Sequence, residues 1–231
     1  MKIYSKLMAM AIPAFILVSY AQAQQTETRS LGHFTEVHSG GSWEVILEEG
    51  NKEEVRIEAS GVDLSKVRTE IEGNELKLGL VKGSYNRVKL KFYVTYKSLE
   101  GLSCSGSGEI NVKSDVVAEA FNLALSGSGD IIMQSLRADE LDASISGSAK
   151  IQIARGAIGE AIISQSGSGD FEAEEVTFEE LEVKKSGSGD TYVGDLGEIS
   201  VRSSGSGDIV YSGSPRMGDI KVSGSSSIRK R

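Results

Sequence analysis

The string Ser-Gly-Ser-Gly-Asp occurs at Ser126–Asp130, Ser166–Asp170, Ser186–Asp190 and Ser204–Asp208. A glycine-rich run that ends in an acid can cradle a phosphate, ligate calcium, act as a flexible linker or turn the corner of a repeating coil. Phosphate cradling needs a Gly-Lys-Ser/Thr ending or a G-x-G-x-x-G run that opens a helix, and no helical pattern follows any copy. The calcium-binding nonapeptide needs its acid in every short turn, whereas here the acid recurs at about twice that spacing. The acid position reads Glu109, Asp130, Lys150, Asp170, Asp190, Asp208 and Ser227 in successive copies. In stacked coils these residues lie ~4.8 Å apart, where like charges repel unless they are solvated or bridged. Lys150 relieves Asp130 and Asp170. Asp170, Asp190 and Asp208 are left as three consecutive acids and form the candidate cation site, with calcium the candidate ion. The competing reading is three solvated aspartates that accept turn hydrogen bonds. No other cofactor is expected.

The remaining reactive residues point away from catalysis. His33 and His38 are the only histidines, and no Cys or acid cluster completes a zinc set around them, so both are read as surface residues. Cys104 is the only cysteine, which rules out an intrachain disulfide; its setting in "LSCSG" reads as a small buried hydrophobe. No serine sits in G-x-S-x-G. A polysaccharide-active enzyme would draw on Asp139, Glu140 and Asp142, or on Glu172, Glu174 and Glu175, but solvated flanks carry such acids anyway. The expectation is a non-enzyme.

The elements that position these residues follow from the repeat. Motif copies start at Ser105, Ser126, Ser146, Ser166, Ser186, Ser204 and Ser223, in steps of 21, 20, 20, 20, 18 and 19 residues. Such a period is the signature of a solenoid. Five residues after each start stand Ile110, Ile131, Ile151, Phe171, Thr191, Ile209 and Ile228. Three before each start stand Leu102, Leu123, Ala143, Ile163, Val183, Val201 and Ile220, and two further back Phe121, Leu141, Ala161, Leu181 and Ile199. A flexible linker has no reason to keep apolar columns. Alternation of period two and many β-branched residues make this an all-β parallel β-helix of about six coils with a ~20-residue period. Gly106, Gly127, Gly147, Gly167, Gly187, Gly205 and Gly224 then form one column, the structural corner, where a Cβ has no room or the backbone needs positive φ.

Ahead of the repeats, "SWEVILEEG" and "EEVRIEAS" alternate around Gly50-Asn51-Lys52 and read as a hairpin. A second break falls at Gly73-Asn74. "VDLSKV" predicts one helical turn, and "RVKLKFYVTY" predicts a strand with Val88, Leu90, Phe92 and Val94 on one face. Residues 31–98 are therefore expected to form an N-terminal antiparallel β-sheet cap, continuous as one domain with a solenoid over 99–231. Residues 24–30 are expected to be a disordered linker. Lys2 and Lys6 precede an apolar run, Leu7 to Val18, and Ala21-Gln22-Ala23 follows, so residues 1–23 read as a cleaved signal peptide. That run is too short to span a bilayer. Export to the periplasm or the outer cell surface is expected, with no transmembrane segment in the mature chain. Losing Lys2 and Lys6 takes the formal charge from −8 to about −10, which disfavours nucleic acid as a partner. "SIRKR" at Ser227–Arg231 sets three cations where an open solenoid edge needs protection.

With "VKLKFYVTYKSLEGLSCSGSGEI" leading into repeated "SGSGDI", the chain resembles the head GIN domain family of putative auto-transporter adhesins, over about Leu31 to Ile228. These are exported Bacteroidetes-type bacterial proteins of uncharacterised function. The resemblance implies a right-handed parallel β-helix behind an N-terminal sheet, and it brings no catalytic residue. The function expected is a non-enzymatic cell-envelope module, an adhesin that binds a glycan or an envelope or host protein through the solenoid flank. The alternatives are a polysaccharide-active enzyme on the same scaffold and a purely structural envelope protein.

Overall fold

A computed structural model describes residues 24–231, and the signal peptide expected over 1–23 lies outside them. The chain forms β1 (Gln25–Ser30), β2 (Glu36–Ser39), β3 (Glu44–Glu49), β4 (Glu54–Ser60), β5 (Val67–Glu72), β6 (Glu75–Leu80), β7 (Lys89–Tyr96), β8 (Gly101–Gly106) and β9 (Glu109–Gly127). There follow β10 (Asp130–Gly147), β11 (Lys150–Ile153), β12 (Gly156–Gly167), β13 (Asp170–Ala173), β14 (Val176–Gly187), β15 (Thr191–Gly205), β16 (Ile209–Gly224) and β17 (Ile228–Lys230). A single 3-10 turn at Leu64–Lys66, capped by Asp63, is the helical turn of "VDLSKV".

From β8 onward every pairing is parallel to the coil before, with register shifts at Met133/Ser135 in β10 and at three places between β15 and β16. Ile110, Ile131, Ile151, Phe171, Thr191, Ile209 and Ile228 stack directly on one another. A second stack runs Leu102, Leu123, Ala143, Ile163, Val183, Val201 and Ile220. Each coil is one long strand or two shorter ones, and the alternating inward residues fill a continuous core in which Ile131, Ile151, Phe171 and Val183 are fully buried. Burying a side chain of that size stabilises by roughly 1.5–3 kcal/mol. The core opens at the last coil, where Met217, Ile220 and Val222 are exposed. The basic tail turns back there: β17 pairs with β16, Arg231 reaches Glu174 at 2.7 Å and Arg229 reaches Asp208 at 3.5 Å.

The N-terminal region differs from the antiparallel cap expected of it. β2 and β3 lie parallel to β8 and β9 in the solenoid's own register, so the coil stack begins before the first Gly-Ser-Gly. Beyond them β6 and β7 continue parallel, and only β5, β4 and β1 run antiparallel. The hairpin expected between β3 and β4 is not a ladder, because β7 lies between them. β7 buries Leu90, Phe92, Val94 and Tyr96, with Phe92 in register with Val45 on one side and Ile57 on the other. A central position satisfies both edges of this long apolar strand, which a local β3–β4 pairing would leave with one partner. The hairpin across Gly73-Asn74 does form, between β5 and β6. Residues 25–30, expected to be disordered, are an edge strand on β4. Thr26 and Thr28 suit a strand, and Arg29 fixes it by donating to the carbonyls of Val67 and Leu64, both at 2.8 Å.

Candidate functional site

The corner column is defined by backbone contact. At Gly127, Gly147, Gly167, Gly187 and Gly205 a Cβ would lie 1.9–2.5 Å from the carbonyl oxygen of the glycine one coil earlier. Gly106 approaches Gly41 in the same way, at 2.8 Å, and Gly224 approaches Gly205, at 2.5 Å. Gly106, Gly127, Gly147, Gly167 and Gly224 also have positive φ. Where a copy has a second glycine it is held as tightly, with Gly129 against Gly108 and Gly189 against Gly169, whereas Ala149 and Ser226 stand at that position in two copies. The serine between the two glycines donates its N–H to the glycine carbonyl below, as Ser168 does to Gly147 at 2.8 Å.

The acids after the corner are occupied by the fold. Asp170 Oδ1 accepts the Asp190 N–H at 2.7 Å, Asp190 Oδ1 accepts the Asp208 N–H at 2.8 Å, and Asp208 Oδ1 accepts the Ser227 hydroxyl at 2.7 Å. Tyr192 donates its phenol hydroxyl to Asp190 Oδ2 at 3.0 Å. Hydrogen bonds from Ser227, with Arg229 nearby, hold the Asp208 carboxyl below its usual range. Among the described residues no group of three His, Cys, Asp or Glu is placed to hold a metal ion. One oxygen of each aspartate, Oδ1, is thus engaged by the next coil. Lys150 pairs with Glu172 at 2.7 Å, and that contact, followed by the charges of Asp170 and Asp130, raises its pKa.

Beneath the corners lies a cation that the sequence analysis passed over. Cys104, Leu125, Ile145, Gln165, Lys185, Ser203 and Val222 are one inward column. Lys185 is 4% exposed and donates from Nζ to the Asp208 carbonyl at 3.2 Å. Burial lowers its pKa, against the raising effect of Asp190, Asp208 and Asp170. Gln165 donates to the carbonyls of Gly169 and Asp190, both at 3.0 Å, and accepts from the Thr191 hydroxyl. The signal was present in "LEVKKSG", where Leu181, Val183 and Lys185 share one face.

The flank carries a groove of about 490 Å3. Glu140, Glu160, Glu180 and Glu198 stack in register along it, beside Asp142 and Glu182. Glu198 pairs with Arg216 and Glu182 with Arg202, while Glu140, Glu160 and Glu180 make no ion pair with other described residues. Of the other acids considered for catalysis, Asp139 lines an adjoining hollow together with Glu140 and Glu160, Glu172 pairs with Lys150 and Glu174 with Arg231. His33 is exposed and bonds to Glu53 at 2.7 Å, and Cys104 is buried. His38 faces Ser103 and Ser105 across the β2–β8 pairing.

A family model described as "Putative auto-transporter adhesin, head GIN domain" matches residues 33–215. No curated protein matches the chain significantly. Among solved structures, a "putative adhesin" from Bacteroides fragilis is similar with a TM-score of 0.81 and 19% identity, covering 91% of this chain and 98% of its own. A "putative adhesin" from Parabacteroides merdae gives 0.74 and 20%, covering 91% and 97%. A "putative lipid binding protein" from Parabacteroides distasonis gives 0.69 and 21%, covering 91% and 98%. At these identities the likeness establishes the fold.

Proposed function

Because this chain belongs to the auto-transporter adhesin head GIN domain family, we propose that it is a non-enzymatic, exported cell-envelope module that binds its partner along the solenoid flank. The observation that carries this reading is the groove lined by Glu140, Glu160 and Glu180, a linear array of unpaired acids on a rigid stack. Carboxylates held ~4.8 Å apart concentrate negative charge along the flank, which an extended cationic ligand matches along its whole length. An amine-bearing glycan or a basic protein segment fits such a groove; its charged walls disfavour an acyl chain. No helix among the described residues is long and apolar enough to cross a membrane.

The test is a glycan and peptide array carrying amine-bearing and neutral members, followed by product analysis of whatever binds. Cationic members should be retained unchanged, and the Glu160→Gln/Glu180→Gln double variant should bind them about tenfold more weakly, since each screened charge contact is worth up to about 1 kcal/mol. Cleavage of the bound sugar, or binding indifferent to the double variant, overturns the reading.

A further inference from the structure

His38 sits in a directed chain of hydrogen bonds. Ser103 Oγ donates to Glu75 Oε1 at 3.5 Å, His38 Nδ1 lies 2.7 Å from Ser103 Oγ, and His38 Nε2 lies 3.3 Å from Ser105 Oγ. A carboxylate only accepts, so the Ser103 hydrogen goes to Glu75 and the Ser103 lone pairs take the Nδ1 hydrogen. That tautomer leaves Nε2 bare and able to accept the Ser105 proton. The arrangement follows from register: His38 is opposite Ser103 on β8 and Lys77 on β6, all on the outward face. Seven corner serines occupy equivalent places, yet the chain has only two histidines, and His33 is engaged by Glu53. Ser105 is exposed at the edge of a groove of about 640 Å3 that His38, Glu75, Lys77 and Arg68 also line.

We propose that Ser105 is a nucleophile that takes an acyl group from activated carboxylic esters, with His38 as its general base and Ser103 and Glu75 as positioning residues. Ser105 Oγ forms the bond to the carbonyl carbon while its proton passes to His38 Nε2. The ester C–O bond then breaks, the alkoxide or phenoxide departs, and His38 returns the proton to it or to water. Lys77, paired with Glu72 and Glu75, and Arg68, paired with Glu70 and Glu72, line the same groove. The transfer is stoichiometric, one acyl group retained per chain without turnover, so it is compatible with a non-enzymatic module; it is independent of the flank groove and stands or falls separately from it.

The full chain is incubated with para-nitrophenyl acetate, recording nitrophenolate release and mapping the acetyl group by peptide mass spectrometry. A burst of about one equivalent, with acetyl on Ser105, is expected. Ser105→Ala abolishes it, whereas Ser126→Ala, the same change one coil on, leaves it intact. His38→Gln slows it by about a hundredfold or more. Glu75→Gln slows it less, lowering the acylation rate constant while leaving the apparent binding constant for the ester unchanged. Acetyl spread over lysines and other serines without preference for Ser105, or a burst that survives His38→Gln with the circular dichroism spectrum unchanged, overturns the proposal.

Discussion

The two ends of the molecule treat buried polar atoms differently. Where the cap meets the first coil, Ser39 Oγ, Trp43 Nε1 and Tyr96 OH are buried without a hydrogen-bond partner. In the later coils the buried Gln165, Lys185, Thr191 and Ser203 all have partners. The cause is repetition. Each corner turns carbonyls toward the inner column at a fixed offset, so a polar side chain placed there finds an acceptor, as Gln165 finds Asp190 and Lys185 finds Asp208. The cap is built once, from strands of mixed direction, and offers no such recurring acceptor. An unpaired buried group costs ~1–3 kcal/mol, so the cap stores small local deficits that the solenoid avoids.

The strongest challenge to this contrast is to break the repetition itself. In Gly167→Val the new Cβ would meet the Gly147 carbonyl at 2.5 Å at a φ of 109°. Neither coil can retreat without opening the stack, so a loss of about 4 kcal/mol or more in denaturant unfolding is expected. Gly73→Ala, at a φ of 68° but with nothing within 4 Å, should lose only about 1 kcal/mol. Next in size is a matched pair of polar insertions. Val94→Gln, placed in the cap among Leu47 and Val55, should cost about 3 kcal/mol. Ile145→Gln enters the column that Gln165 already occupies one coil later, and should cost about half as much because the Asp170 carbonyl stands where Asp190 does for Gln165. Equal losses would remove the distinction between the two regions.

Smaller effects sharpen the same comparison. Lys185→Met removes a buried charge whose hydrogen-bond partner is a carbonyl, and a gain of about 2 kcal/mol at neutral pH is expected. The gain has a defined pH dependence. The folded-state pKa of Lys185 is lowered from its ordinary 10.5, so below the lowered value both states hold the proton and the full penalty is present. Between the lowered value and 10.5 the unfolded chain binds more protons than the folded one, wild-type stability rises with pH, and the advantage of Met shrinks. Tyr96→Phe should gain about 1 kcal/mol by deleting an orphaned hydroxyl. Burial, reinforced by the charge of Glu49, pushes the Tyr96 phenol up to about 12, so its ultraviolet titration should lag behind that of exposed tyrosines.

The solenoid was legible because its evidence is columnar. Positions such as Ile131, Ile151 and Phe171 repeat the same environment, so each coil corroborates the next, and the period alone sets the register. The cap has one copy of everything. Its strands were visible in their alternation, but the insertion of β7 between β3 and β4 depends on long-range pairing that no local turn encodes. Thr26 and Thr28 in a polar stretch looked like linker because an edge strand buries little. Lys185 escaped because charge was weighed ahead of its place in the Leu181, Val183, Lys185 alternation. Ser105 and His38 are 67 residues apart and meet only through the β2–β8 register, which spacing along the chain does not reveal.

The smallest expected effect concerns the aspartate ladder, and there the contrast between an outer ligand and an inner one is sharpest. Asp170, Asp190 and Asp208 are the candidate cation site of the sequence, set against the reading of three solvated aspartates. Each gives Oδ1 to the next coil, and the nearest buried cation is the Lys185 ammonium, whose charge acts on all three from beneath. A cation placed inside the stack by the chain's own sequence offsets part of the charge that an external ion would otherwise neutralise. Millimolar calcium or a chelator should therefore leave the melting temperature unchanged in the wild type. In Lys185→Met the three acids lose that internal counter-charge, and any stabilisation by calcium should appear first in this variant and vanish again with Asp190→Asn. A wild-type melting temperature that rises with calcium would show that the ladder recruits an ion despite the lysine below it.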